Sequence, residues 1–260
     1  MKYISLCWPI VLLVTVGLYV LVLLTLPFSA LYSTIFLLTL IAFWSRLPGV
    51  GIQHPFYILY QMDVIDIFMI LIAVNVGPMQ AIAFIWFCNM VSRSAGVYPD
   101  WAGVIQDCIL LSITALAAPL LNMIVGGNLL AVVTIYSIFR PIGFFLFNFI
   151  WPRMSWPQRI MTSIIAGGEL FLINAFYVKL FGNFFNDLLM GGMVFSWPLF
   201  IFATIVIFIV YVALYGIDSL APKKGTAKNI AKMIVKTIKK EEPRKDTDQQ
   251  DMNFVRDALK

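Results

Sequence analysis

Eight runs of apolar residues alternate with short polar breaks along this chain, at roughly 8–28, 31–46, 56–77, 79–95, 101–124, 128–150, 159–181 and 193–217. Most are long enough, at about 20 residues, to cross a bilayer as helices. Pro27 and Ser29, Gly77-Pro78, Gly126-Gly127-Asn128 and Gly191-Gly192 fall at breaks. Proline cannot continue a helix and glycine supplies unusual backbone angles, so these are turns. Segments 31–46 and 79–95 are short; each reads either as a spanning helix or as half of a re-entrant hairpin. The pattern predicts an all-α polytopic transmembrane bundle over residues 1–220 and a cytoplasmic tail over 221–260.

Composition fixes the class. Apolar residues make up 61% of the 260 and mean hydropathy is +0.91, whereas soluble domains are about 45–50% apolar. Lys2 and the run Ile10–Leu26 resemble a signal peptide, but the run is longer than a signal core and Phe28-Ser29-Ala30 is a poor cleavage site, so a retained first helix is expected. Lys2, Arg46, Arg93, Arg153, Arg159 and the lysine-rich tail fall on one side if the segments alternate. The positive-inside rule then places both termini in the cytoplasm of a cell-membrane protein. Trp8, Trp44, Trp101, Trp151 and Trp156 gather at the same ends, as an interfacial belt does.

Charges inside the spans are the candidate chemistry. Arg140 and Glu169 lie near the middle of adjacent segments joined by Pro152–Pro157. In an antiparallel hairpin both sit on the order of 20 Å of helix from the turn. A lone charge in hydrocarbon costs at least about 2.5 kcal/mol, so the two are expected to pair. The pair reads either as a polar site or as an ion pair that only docks two helices. Asp63 and Asp66, three residues apart, share a helix face. They lie inside the span if the helix begins near Phe56 and are capping residues if it begins at Asp63. Asp107, with Gln106 beside it, is either part of a buried carboxylate group or an interfacial acid reaching water. Pro141 and Gly143 follow Arg140, and a helix broken at that depth is a common place for a transported ion or solute; a plain kink is the other reading. Gly167-Gly168 allow a close backbone approach, and Asn75, Asn89, Asn122, Asn148 and Asn174 read mostly as interhelical hydrogen bonds.

Cys7, Cys88 and Cys108 lack metal-ligand spacing, and His54 has no partner nearby in sequence. No metal or other cofactor is expected. Gly-x-Ser-x-Gly, His-Glu-x-x-His and P-loop motifs are absent, and no enzyme activity is expected. In the tail, residues 226–240 place Ile230, Met233, Ile234 and Ile238 on one helix face, with Lys228, Lys232, Lys236, Lys239 and Lys240 mostly around it. Next to a membrane span, such a helix reads as a binder of anionic lipid headgroups rather than of nucleic acid. The chain from Glu241 onward is polar and mixed in charge, as in disordered segments.

Residues 63–95, DVIDIFMILIAVNVGPMQAIAFIWFCNMVSRSA, resemble part of the substrate-binding S components of energy-coupling-factor vitamin transporters, and are similar to MreD rod-shape membrane proteins. Asp66, Gly77 and Pro78 carry the likeness, which covers about an eighth of the chain. It implies small-molecule uptake with an ATPase module or other membrane subunits as partners. S components usually have six helices and a cytoplasmic Gly-Pro turn, whereas this chain has about eight segments and its charge bias puts Gly77-Pro78 outside. The sequence thus leads to a transporter or transporter subunit in which Arg140 and Glu169 form the gate or binding pair. Asp63, Asp66 and Asp107 would bind a cation, proton or polar solute. The alternative is a noncatalytic scaffold that recruits partners at its cytoplasmic face.

Overall fold

The structure, a computed structural model, describes residues 6–51, 64–96, 101–150, 156–190 and 195–219. His54, Asp63 and the tail with Lys228, Lys232, Lys236, Lys239 and Lys240 lie outside the described residues, as does the side chain of Glu169. Residues Tyr3–Asp218 form one compact unit; the other, Met1–Lys2 with Ser219–Lys260, lies almost wholly outside the described residues.

The described residues are helical, without strands; a lone antiparallel bridge joins Leu6 to Gly96. The helices are α1 (Trp8–Thr25), α2 (Ala30–Gly51), α3 (Ile65–Asn75), α4 (Pro78–Ser94), α5 (Trp101–Ile124), α6 (Leu129–Ile150), α7 (Trp156–Tyr177), α8 (Asn183–Met190) and α9 (Trp197–Ser219). A π-helical turn, Val178–Gly182, links α7 to α8. Among the described residues, five helices are long and apolar enough to span: α1, α2, α5, α6 and α9. That is three fewer than the eight segments expected: α3 has 11 residues, α4 has 17, and the 22-residue α7 is not among the five. Segment 31–46 belongs to the 22-residue α2 and is of spanning length. The sequence pattern gave no sign of α8 as a separate element.

The bundle is apolar on its outside: Leu13, Leu24, Ile124, Phe139 and Phe208 are exposed. Such a surface suits lipid, where every backbone polar group must find its partner within the helix. Hydroxyls follow the same rule: Thr15, Thr34, Thr39, Ser112 and Ser137 each donate to the carbonyl one turn back. Other bonds tie helices together, from Trp44 Nε1 to Thr15 Oγ1 at 3.1 Å, from Trp86 Nε1 to Ser112 Oγ at 3.0 Å, and between Tyr19 and Thr204 at 3.0 Å. Trp44 is therefore buried between α1 and α2 and is not an interfacial anchor; Trp8, by contrast, meets Tyr211 and Tyr215 edge-on.

Helix α3 is the centre. Every residue from Ile65 to Ala73 is buried, and α2, α4, α5, α6 and α8 contribute to the same core. A helix that is apolar all round belongs inside, and one sheathed by neighbours need not be long enough to reach water at both ends. It closes at Gly77, whose φ of 147° few side chains tolerate and whose N–H bonds to Ile72 O at 2.9 Å. Pro78 then starts α4, where its missing N–H costs nothing. A second core joins α1, α2 and α9.

Helix α6 continues through Pro141 from Leu129 to Ile150, so of the two readings the unbroken helix holds beside Arg140; among the described residues the π-helical turn interrupts the α-helical pattern. Among the described residues nothing lies within 4 Å of a Cβ on Gly168, whereas one on Gly143 would lie 3.2 Å from Leu110 of α5.

Candidate functional site: two buried ion pairs and a polar cleft

Arg140 forms an ion pair and hydrogen bond through its Nη1 to Oδ2 of Asp66. The two residues come from α6 and α3, which are far apart in sequence but contribute to the same core. Their depth can be worked out from a shared landmark. Val74 of α3 and Leu129 of α6 line the same cleft at one end of the bundle. At about 1.5 Å per residue, Asp66 lies roughly 12 Å from that level and Arg140 roughly 16 Å. With the cleft level taken as one face of a hydrocarbon core of about 30 Å, both are close to halfway through it.

Three effects hold the Asp66 carboxylate there. Arg140 supplies the opposite charge. Asp66 is in the first turn of α3, where the partial positive charge of the helix end favours an anion. Water is largely excluded, with the Asp66 side chain 7% exposed and that of Arg140 18%, which strengthens the attraction. The guanidinium also lies 5.9 Å from the centre of the Tyr136 ring, one helical turn back.

A second pair sits deeper. Arg46 Nη2 of α2 lies 3.9 Å from Asp107 Oδ2 of α5. Asp107 is 15 residues from Asn122, which lines the cleft, so the pair is roughly 22 Å from the cleft level. Arg46 is buried at 3% exposure and is not a solvated end charge; Asp107 is largely enclosed rather than free in water. Gln106 is buried beside it, and its amide makes no hydrogen bond among the described residues. Asn89 and Ser92 of α4 are buried near the same end.

The cleft has a volume of about 430 Å³, within the range of small-ligand sites. It lies where α3, α5, α6 and α8 meet the π-helical turn, and Lys179, Asn122, Asn128, Asn183 and Asn186 supply its polar lining. Asn75 at the end of α3 donates to Asn186 Oδ1 at 2.9 Å, which fixes α8 over the central helix. Asn128 Oδ1 accepts from the N–H of Ala131 at 3.2 Å and caps α6.

The structure thus brings Asp66 and Arg140 together and pairs Asp107 with Arg46. The expected partner of Arg140, Glu169, is in α7, which packs along α6, but its side chain lies outside the described residues. Sequence reasoning missed Asp66 as a partner because segment adjacency favoured the next helix in the chain. The usable signal was depth: counted from the Gly77 and Gly126 turns, Asp66 and Arg140 are at matching heights. Asn183 and Asn186 were missed because α8 was not foreseen.

An all-helical bundle with an apolar outer surface, spanning helices and buried charge defines a multi-pass integral membrane protein. No family model matches the chain, and no match is found among curated proteins or solved structures.

Proposed function

We propose that the protein is a transporter or transporter subunit, with the Asp66–Arg140 pair as its central gate. The observation that carries this reading is the placement of that pair near mid-depth, at the start of a half-length helix, roughly 12–16 Å below an open polar cleft. A helix that starts inside the bundle with a charged first turn is how many carriers build a midplane site. The Arg46–Asp107 pair would close the other end, so the two pairs form stacked barriers along one axis. Opening one pair at a time gives a solute access from one side at a time. The likeness of residues 63–95 to transporter S components points the same way. The cleft end faces outward and both termini face the cytoplasm, in keeping with the lysine and arginine bias.

The scaffold reading has one observation in its favour: Asp66, Asp107, Arg46 and Arg140 are in ion pairs with one another, as static docking contacts would be. Accessibility separates the two. Ser137 is buried less than one turn from Arg140, and a Ser137→Cys variant without native cysteines reports on water at that depth. A transporter exposes it to a small hydrophilic thiol reagent in one of its states, and Arg140→Leu accelerates the reaction. No labelling from either side, with a control cysteine at Asn183 reacting normally, refutes transport and leaves the scaffold.

A further inference from the structure

The cleft has a chemistry of its own, and we infer that it is a binding site for a phosphate-bearing anion. Among the described residues its lining holds one charged side chain, Lys179, and no carboxylate. The remaining polar groups are asparagines, whose amides donate and accept at once. Lys179 sits in the π-helical turn, and such turns recur at functional sites. Here the turn is tightly seated: a Cβ on Gly182 would lie 3.1 Å from Val178 and 3.3 Å from Leu129. That packing fixes the lysine at the edge of the cleft.

The asparagines are not spent on each other. Asn128 uses its oxygen as a helix cap, which leaves its two N–H groups for a ligand. Asn186 uses its oxygen on Asn75, and its amide nitrogen has only a 3.7 Å contact to the Met190 sulfur. The side chains of Lys179, Asn122 and Asn183 make no hydrogen bond or ion pair among the described residues. One cation among several N–H donors, with no acid to repel an anion, matches an oxyanion flanked by hydroxyls. Compact cations such as lysine are common phosphate binders. The ligand can be a soluble phosphate ester entering from the aqueous side. It can equally be a lipid headgroup, since the apolar Leu130 and Met190 line the cleft and are exposed on the outside of the bundle.

This inference goes beyond the transport reading and does not need it, since binding is measured without flux. The full chain, in phosphatidylcholine nanodiscs, is titrated calorimetrically with sn-glycerol 3-phosphate. In parallel, phosphatidylglycerol retained on the protein is counted by native mass spectrometry. Lys179→Gln and Asn183→Ala are compared with the parent; both positions are exposed, so both variants keep the fold. The expected result is binding in one arm that weakens roughly tenfold in Lys179→Gln, the loss of about 1.4 kcal/mol, and less in Asn183→Ala. Binding of glycerol 3-phosphate identifies a soluble ligand; retention of phosphatidylglycerol alone identifies a headgroup. Binding in neither arm overturns the inference, and so does binding unchanged by Lys179→Gln, which would place the anion elsewhere.

Discussion

Removing Arg140 is the sharpest test of what holds the centre of this bundle. Arg140→Leu keeps most of the side-chain volume but leaves the Asp66 carboxylate, 7% exposed, without the guanidinium. Breaking a buried pair by removing one partner costs about 3–5 kcal/mol, because the remaining charge stays desolvated. Asp66→Leu removes the acid and the need for a counter-charge at the start of α3. The double variant therefore should lose less than the sum of the singles, with a coupling of about 2 kcal/mol or more. The bilayer tempers the size, since polar groups in an unfolded membrane chain also find partners. At roughly 2–4 °C per kcal/mol for a chain of this size, Arg140→Leu lowers the melting temperature by about 6–20 °C, with the lower end favoured in a bilayer. Intrinsic tryptophan fluorescence of the purified protein on heating measures all four corners of the cycle. Additivity within about 0.5 kcal/mol refutes the pairing. The same cycle with Glu169→Leu measures how far the neighbouring helix also couples to Arg140.

Other outcomes follow from the packing and the tail. Ile70→Ala, in the middle of α3, should cost about 2 kcal/mol, near the low end for core truncation, because the unfolded side chain remains in apolar lipid; a thermal melt within error of the parent argues against an enclosed α3. Gly77→Ala should destabilise by about 1–3 kcal/mol, since the residue has φ of 147° and a Cβ would come within 2.7 Å of Gln80 Oε1; an unchanged melt means the turn rebuilds freely. A peptide of residues 226–240 should be largely unfolded in water and turn helical on anionic but not neutral vesicles, with salt reversing the effect. Equal circular dichroism on both vesicle types, insensitive to salt, removes lipid charge as its ligand.

The sequence announced the class and most of the helices, because a spanning helix is a local property of about 20 apolar residues. The turns at Gly77-Pro78 and Gly126-Gly127 were equally local. What it hid was three-dimensional. Asp66 and Arg140 are 74 positions apart, and periodicity carries no information about which helices become neighbours. At Pro141 the pattern left two readings open, and the unbroken helix is the one found: a helix supported by its neighbours absorbs the missing bond. Arg46 and Trp44 looked interfacial because they lie near the end of an apolar run. The run continues as helix to Gly51, which draws both into the interior.

The enclosure of α3 also constrains how the protein is made. An 11-residue helix with nine consecutive buried positions has almost no face to offer to lipid, and it carries an acid whose guanidinium partner has not yet been synthesised when α3 emerges. It cannot be released into the bilayer as an independent span, in the way that α1 can. Its insertion is deferred until α5 and α6 arrive to wrap it, which makes the second half of the chain a chaperone for the first. A chain cut short before Leu129 should therefore leave α3 accessible to protease, while the same segment in the full-length product is protected.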